Sequence, residues 1–276
     1  MILNWTYPNL GKYYRNSPPM RGTLKERFED AKKLGLTRIE VPFDLVREEN
    51  DEYLKLNKKI GDIIAKEDFE KLYGKEKFEH EYILHTDPEL KENHILYWNL
   101  TEWRTKYFQS IIDFAHFIGK PPFAIEFHPS KPKRSKNMDK AIVEAFDKFK
   151  EINNPYILIE NRTGMYISTV KDMIKFYETV CENLSPSEIK KFGLCIDISQ
   201  IYTEQRKDPT NEIAKIPRNY ILCWHIHYKH KVPSMQDPIN WREITKILKE
   251  TKAICLPEVF TFNNIIQTIK FIEKMI

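Results

Sequence analysis

Tyr156-Ile157-Leu158-Ile159-Glu160 is a run of apolar residues closed by a carboxylate and followed by Asn161-Arg162-Thr163-Gly164. A short apolar run bounded by turn residues is how a strand buried on both faces reads, and parallel sheets are built from such strands. The polar residue that closes the run then marks the strand's C-terminal end. Working outward, the pattern recurs. Tyr82-Ile83-Leu84 closes on His85, Ala124-Ile125-Glu126-Phe127 on His128, Leu194-Cys195-Ile196 on Asp197, Leu222-Cys223-Trp224 on His225, and Cys255-Leu256-Pro257 on Glu258. These closing residues follow one another about every 35 positions, roughly one strand-plus-helix unit.

With two earlier runs added, the sequence predicts strands near residues 2–5, 37–41, 81–85, 122–128, 155–160, 192–197, 220–226 and 253–258. Helical patterns lie between them at 23–34, 103–118, 139–152, 169–183, 241–251 and 263–275. Gly35, and Gly119 with Pro121, stand where a helix must stop before the next strand. Alternating β and α argues for a parallel sheet. Eight strands in 276 residues argue for an α/β (β/α)8 TIM barrel, which typically takes about 250 residues. The expectation is one barrel domain over residues 1–276. The widest interval, 44–80, is charged and reads as a mostly helical insertion between strands two and three.

Composition is that of an ordinary soluble globule, 41% hydrophobic and 30% charged, with a net charge of +4 that identifies no nucleic-acid partner by itself. No apolar run approaches the roughly 18 residues that span a bilayer, so no membrane role is expected. Four cysteines without paired spacing suit a reduced, cytoplasmic location, and polar Asn4, Thr6 and Asn9 argue against a secretory leader. There is no P-loop, dinucleotide fingerprint or nucleophile elbow, and with eight glycines no nucleotide cofactor is expected. The sequence sets no oligomeric state.

In a (β/α)8 barrel the C-terminal strand ends converge on one rim, where active sites are built. His85, His128, Glu160, Asp197, His225 and Glu258 would meet there, three imidazoles and three carboxylates. Each residue alone has a plainer reading: Asp197 as a helix cap, His85 as a strand-end histidine, Glu258 as a rim charge. Together at six strand ends they read as one divalent-metal site. Side chains two apart share a face, so Glu126 should accompany His128, Cys195 Asp197, and Cys223 both His225 and His227. The two cysteines read as small residues filling barrel layers. Glu126, and Glu40 on the second strand, read equally as internal ion pairs or as functional groups.

These residues resemble the xylose isomerase-like barrels, the superfamily of endonuclease IV and of sugar isomerases and epimerases. Phe127-His128-Pro129-Ser130 resembles the His-Pro-Gly of endonuclease IV. Glu160-Asn161-Arg162-Thr163-Gly164 resembles its Leu-Glu-Asn-Thr-Ala-Gly segment, and Cys195-Ile196-Asp197 its Leu-Asp-Thr-Cys-His. The resemblance implies that His85 and His128 bind one metal and that Glu160 bridges to a second, completed by Asp197, His225 and Glu258. It also implies proton-handling roles for Glu160 and Glu258. Where the pattern has a histidine three residues after the strand-six aspartate, this chain has Gln200. After strand seven only Asp237 of an Asp-x-His pair is present, which leaves His227, His230 and Asp237 as further site candidates.

Two readings of the chemistry follow. Two metals suit phosphoester hydrolysis, with damaged or abasic DNA as a candidate substrate; one metal suits a sugar or sugar-phosphate isomerase or epimerase. A non-catalytic metal- or ligand-binding barrel is a third. Imidazole and carboxylate donors suit zinc, manganese or iron, with zinc or manganese the leading expectation. Two features favour phosphate. Lys131, Lys133, Arg134 and Lys136 follow His128, and Trp5 and Tyr7 precede the cationic and aromatic Lys12-Tyr13-Tyr14-Arg15. The first group would grip phosphates; Trp5 and Tyr7 would stack a base or sugar.

Overall fold

Eight parallel strands follow the order β1-β8-β7-β6-β5-β4-β3-β2. They are β1 (Asn4–Trp5), β2 (Arg38–Pro42), β3 (Glu81–His85), β4 (Ala124–Phe127), β5 (Tyr156–Glu160), β6 (Phe192–Asp197), β7 (Ile221–His225) and β8 (Ile254–Leu256). The ring closes just past β1: Tyr7 N–H donates to the Arg38 carbonyl at 3.0 Å and Glu40 N–H to the Tyr7 carbonyl at 2.8 Å. The result is the expected TIM barrel. This computed structural model describes residues 2–8, 24–43, 78–86 and 96–276. Residues 44–77 of the expected insertion, and the segment Lys12 to Arg15, lie outside the described residues.

Among the described residues the longer helices are α1 (Leu24–Lys33), α2 (Thr101–Ile118), α3 (Met138–Lys148), α4 (Val170–Cys181), α5 (Ile198–Gln205), α6 (Trp241–Thr251) and α7 (Phe262–Glu273). Their ends obey local chemistry. Gly119 closes α2 with φ of 73°, a left-handed conformation that costs glycine nothing. Thr169 and Asp172 form a reciprocal capping box at the start of α4, satisfying two otherwise orphaned amide donors.

Strand parity sorts the side chains into two cores. Ile125, Phe127, Ile157, Ile159, Leu194 and Ile196 face outward into the large cluster beneath the helices. Ile83, Ala124, Leu158, Cys195, Cys223, Ile254 and Leu256 fill the lumen. Gly193 leaves room for a neighbour on β7, since a Cβ there would stand 2.3 Å from Leu222 Cγ. Two residues further along β3 to β7, the side chain on the lumenal face becomes polar: His85, Glu126, Glu160, Asp197 and His225. Cross-strand partners such as His85 and Glu126, or Asp197 and His225, lie level with one another. An apolar plug therefore carries a polar layer at the C-terminal mouth.

Candidate metal centre

The six strand-end residues converge as expected, and each is held by its own element. His128 follows β4, where the fully buried Trp98 indole N–H donates to its carbonyl at 2.9 Å. The next loop is pinned by two hydrogen bonds, Ser130 N–H to Ser135 Oγ at 2.8 Å and Ser135 Oγ–H to the Ser130 carbonyl at 2.9 Å. Asp197 ends β6 and caps α5, its Oδ1 accepting from Gln200 N–H at 2.8 Å. The cap reading of Asp197 therefore holds, and Oδ2 remains directed into the lumen, 3.3 Å from His227 Nε2.

Glu160 lies at the centre. Its Oε2 stands 2.5 Å from His128 Nε2 and 3.9 Å from His85 Nε2, while Oε1 faces His225 Nδ1 at 3.5 Å. Glu258 Oε2 lies 2.8 Å from His227 Nε2, 3.5 Å from His225 Nδ1 and 3.8 Å from His230 Nδ1. Glu126 Oε1, one layer deeper, is 3.3 Å from His225 Nε2 and 3.5 Å from His85 Nε2. Glu40 Oε1 is 3.9 Å from both of those nitrogens.

Many of these atoms are close without being aligned as hydrogen bonds. Both Glu126 oxygens, Glu160 Oε2, Glu258 Oε2, His128 Nδ1 and both His225 nitrogens are buried with no hydrogen-bond partner. A buried carboxylate left so costs several kcal/mol unless a charge compensates it. Lone pairs that point at common spaces, from imidazole and carboxylate donors, fit a bound divalent cation. Donor atoms of His85, Glu126, His128 and Glu160 lie within 4.8 Å of one another, as do those of Glu160, Asp197 and His225, and of His227, His230 and Glu258.

Electrostatics are set by burial against this mixture of charges. Burial, reinforced by His128, pushes the His85 imidazole down to about 3. Burial raises the Glu126 carboxyl, opposed by His225. For Glu160 and Glu258 burial also works upward, but the surrounding histidines outweigh it and hold both carboxyls well below the usual range. At His227 burial works downward, while Asp197 and Glu258 pull the ring up to about 10. A proton on both nitrogens conflicts with the His230 amide N–H, which donates to His227 Nδ1 at 2.9 Å. The geometry decides for a neutral ring with its proton on Nε2, within hydrogen-bond distance of Asp197 Oδ2 at 3.3 Å.

The further candidates divide. His227 and His230 join the cluster, their rings stacked 4.4 Å apart. Asp237 does not: its carboxylate accepts from Ser234 N–H, Ser234 Oγ–H and Trp241 Nε1–H, at 2.8, 3.0 and 2.9 Å. Gln200 is likewise a structural residue, its Oε1 accepting from Thr163 N–H at 3.1 Å. The stacking role expected of Trp5 and Tyr7 is corrected, since both belong to the hydrophobic core. Trp5 Nε1–H donates to Glu273 Oε1 on α7 at 2.9 Å, and the Tyr7 hydroxyl reaches Asp30 on α1.

Of the basic loop, Lys131 Nζ donates to the Gly164 carbonyl at 3.1 Å and Arg134 lies 5.5 Å over the Tyr97 ring. Lys133 and Lys136 are exposed beside them. Reading the sequence missed Asn161, whose carboxamide clamps the Asp197 backbone from both sides. The only sequence signal for it was its place immediately after Glu160.

The profile of a family described as xylose isomerase-like TIM barrel matches residues 28–275. A D-tagatose 3-epimerase-like protein superposes with a TM-score of 0.62 at 14% identity, over 99% of this chain and 97% of that one. Endonuclease IV from Thermus thermophilus superposes with a TM-score of 0.56 at 12% identity, over 99% and 98%. The IOLI protein with a binding zinc atom does so with a TM-score of 0.59 at 14% identity, over 99% and 95%. At such identities the likeness carries the fold and nothing finer. No curated relative matches by sequence.

Proposed function

The chain belongs to the xylose isomerase-like TIM-barrel family, and from that premise we propose that it is a metal-dependent hydrolase of phosphate esters with two metal positions. One observation carries this reading: Glu160 straddles two donor sets, Oε2 toward His85 and His128, Oε1 toward His225. A carboxylate so placed can bridge two cations. His85 and His128 would complete the first position; Asp197, His225 and Glu258 the second. Two divalent ions, zinc or manganese by donor type, would supply an activated water and neutralise charge on the phosphoryl oxygens.

The chain's own residues do the rest. Asn161 and the α5 cap orient Asp197. His227 holds Nε2–H toward Asp197. Glu258, held ionised by the surrounding histidines, would bring negative charge to the second position beside the partly exposed His230. Lys133 and Lys136 stand on the same rim, where they would meet a phosphodiester such as damaged DNA.

A second reading, a one-metal sugar or sugar-phosphate isomerase or epimerase, is favoured by Asp237, whose carboxylate is consumed in structural hydrogen bonds and so speaks against a third metal of the endonuclease pattern. Gln200 does not separate the two readings, since the resemblance puts a histidine at that position in both. Elemental analysis of protein purified without added metal tests the choice. About two equivalents, falling to about one in His128→Ala, is the expected result. One equivalent indifferent to His128 would move the assignment to the isomerase, and none after reconstitution would leave a non-catalytic barrel.

A further inference from the structure

Glu126 has no part in either donor set implied by the family resemblance, yet it is the most completely enclosed carboxylate of the lumen. It is 0% exposed, neither oxygen has a hydrogen-bond partner, and among the described residues its ion-pair contacts are histidines. From Oε1 the distances are 3.5 Å to His85 Nε2 and 3.3 Å to His225 Nε2. Ligands about 2.0–2.1 Å from a tetrahedral ion stand about 3.3–3.4 Å apart, so Glu126 and His85 are separated as two ligands of one ion would be. Donor atoms of His85, Glu126, His128 and Glu160 all fall within 4.8 Å of one another.

We propose that Glu126 is the fourth protein ligand of the ion held by His85, His128 and Glu160, and that it also fixes the ring of His225. The second half follows from which nitrogen faces where. His225 Nδ1 is directed at Glu160 and Glu258, each at 3.5 Å, and is the nitrogen available to the second position. A neutral ring that gives up its Nδ1 lone pair carries its proton on Nε2, and the acceptor in front of Nε2 is Glu126 Oε1. One carboxylate then ties the two positions together beneath the rim, as ligand to one ion and as hydrogen-bond acceptor for the ligand of the other. A fourth protein donor would make the first ion the more tightly retained of the two.

The inference rests on the two-metal reading above, and the test separates the two. Chelated protein is titrated with cobalt(II) and with zinc, following the metal count and the visible cobalt spectrum. The wild type should take up two ions and Glu126→Gln one, with the first position weakened by 100-fold or more. Glu126→Gln combined with His128→Ala should lose no more than either change alone, because both strip the same ion. If the wild type takes up one ion only, the two-metal premise fails and this inference with it. If the wild type binds two and Glu126→Gln binds both with unchanged affinity, or the double variant loses both, Glu126 is not this ligand and the two-metal reading stands. A sulfur-to-cobalt charge-transfer band would put the ion on Cys195 and Cys223 instead, which also lie within 4.8 Å of Glu126 and His225, and would overturn the assignment. Should Glu126→Gln not fold, Glu126→Asp decides: a tenfold or greater loss at one position is expected, and unchanged affinity at both overturns the proposal.

Discussion

Asn161 grips the backbone of Asp197 on both sides: its Oδ1 accepts from the Asp197 N–H at 2.9 Å and its Nδ2 donates to the Asp197 carbonyl at 3.1 Å. Both residues are buried. The contact joins the ends of β5 and β6, so Asn161 sets where the Asp197 carboxylate stands. Asn161→Ala leaves a buried amide and carbonyl unpaired, which costs about 1–3 kcal/mol. It should also loosen metal at the Asp197 position by about 10–100-fold, the usual range for such supports. Denaturant melts of the metal-free protein read the first effect and metal titration the second. A variant that is less stable but binds both ions normally would show that Asp197 is positioned by its α5 cap alone.

Glu160→Gln tests the bridge. The amide keeps the shape and loses the anion, and Glu160 faces both donor sets. Affinity should fall by at least about 100-fold at both positions, more than the loss of an outer support. Loss of a single ion would assign Glu160 to one position and remove the bridge.

The barrel was legible because its strands are buried on both faces. Continuous apolar runs such as 156–160 and 192–197 have no other good reading, and predicted strand ends lie within three residues of those observed. Helix α5 was anticipated only through its cap, Asp197, and not as a pattern of its own, since it begins directly after the strand with no loop to announce it. At the site, parity correctly paired Glu126 with His128, but burial without partners is a property of the packed lumen that no spacing reveals. Trp5 misled because a strand of two residues gives no alternation from which to read a face. Asp237 misled because a loop carboxylate can be claimed locally, here by Ser234 and Trp241, as readily as by a metal.

Acid should destabilise the metal-free protein in a way that isolates His85. Its pKa is about 3 folded against 6.5 unfolded, so between those values the unfolded chain binds a proton that the native state refuses. Stability from this group is complete above pH 6.5 and is lost as pH falls, by at most about 1.4 kcal/mol per pH unit. Glu160 and Glu258, whose carboxyls are lowered, contribute stability that is lost only below about pH 4.5. The raised Glu126 carboxyl and the lowered His80 and His230 also act at pH 4.5–6.5, so the His85 share is read as the difference between variant and wild type. In chelated protein, His85→Asn should flatten the dependence of unfolding free energy on pH across that window and leave the slope above pH 7 unchanged. Equal slopes for variant and wild type at pH 4.5–6.5 would mean that His85 is protonated in the folded state.

The choice between DNA and sugar can be read from salt. Lys131, Lys133, Arg134 and Lys136 stand together after His128, and four neutralised phosphates would give duplex binding a log–log salt slope near −3.6. The four are not equivalent as test positions. Lys131 holds the Gly164 carbonyl at 3.1 Å, in the loop that leaves Glu160, so removing it disturbs the metal centre as well as the charge. Lys133 and Lys136 are exposed and lie outside every donor cluster, which makes Lys133→Ala with Lys136→Ala the informative variant. Its slope on abasic duplex should fall to about −1.8, since each phosphate contact carries about 0.9, while its metal content stays at the wild-type value. Turnover of an uncharged sugar would not respond to the pair, because such a substrate presents no charge for the loop to meet. Failure to bind abasic duplex at low salt, or binding with a slope that the two substitutions leave unchanged, would remove the DNA substrate and make the isomerase the better assignment.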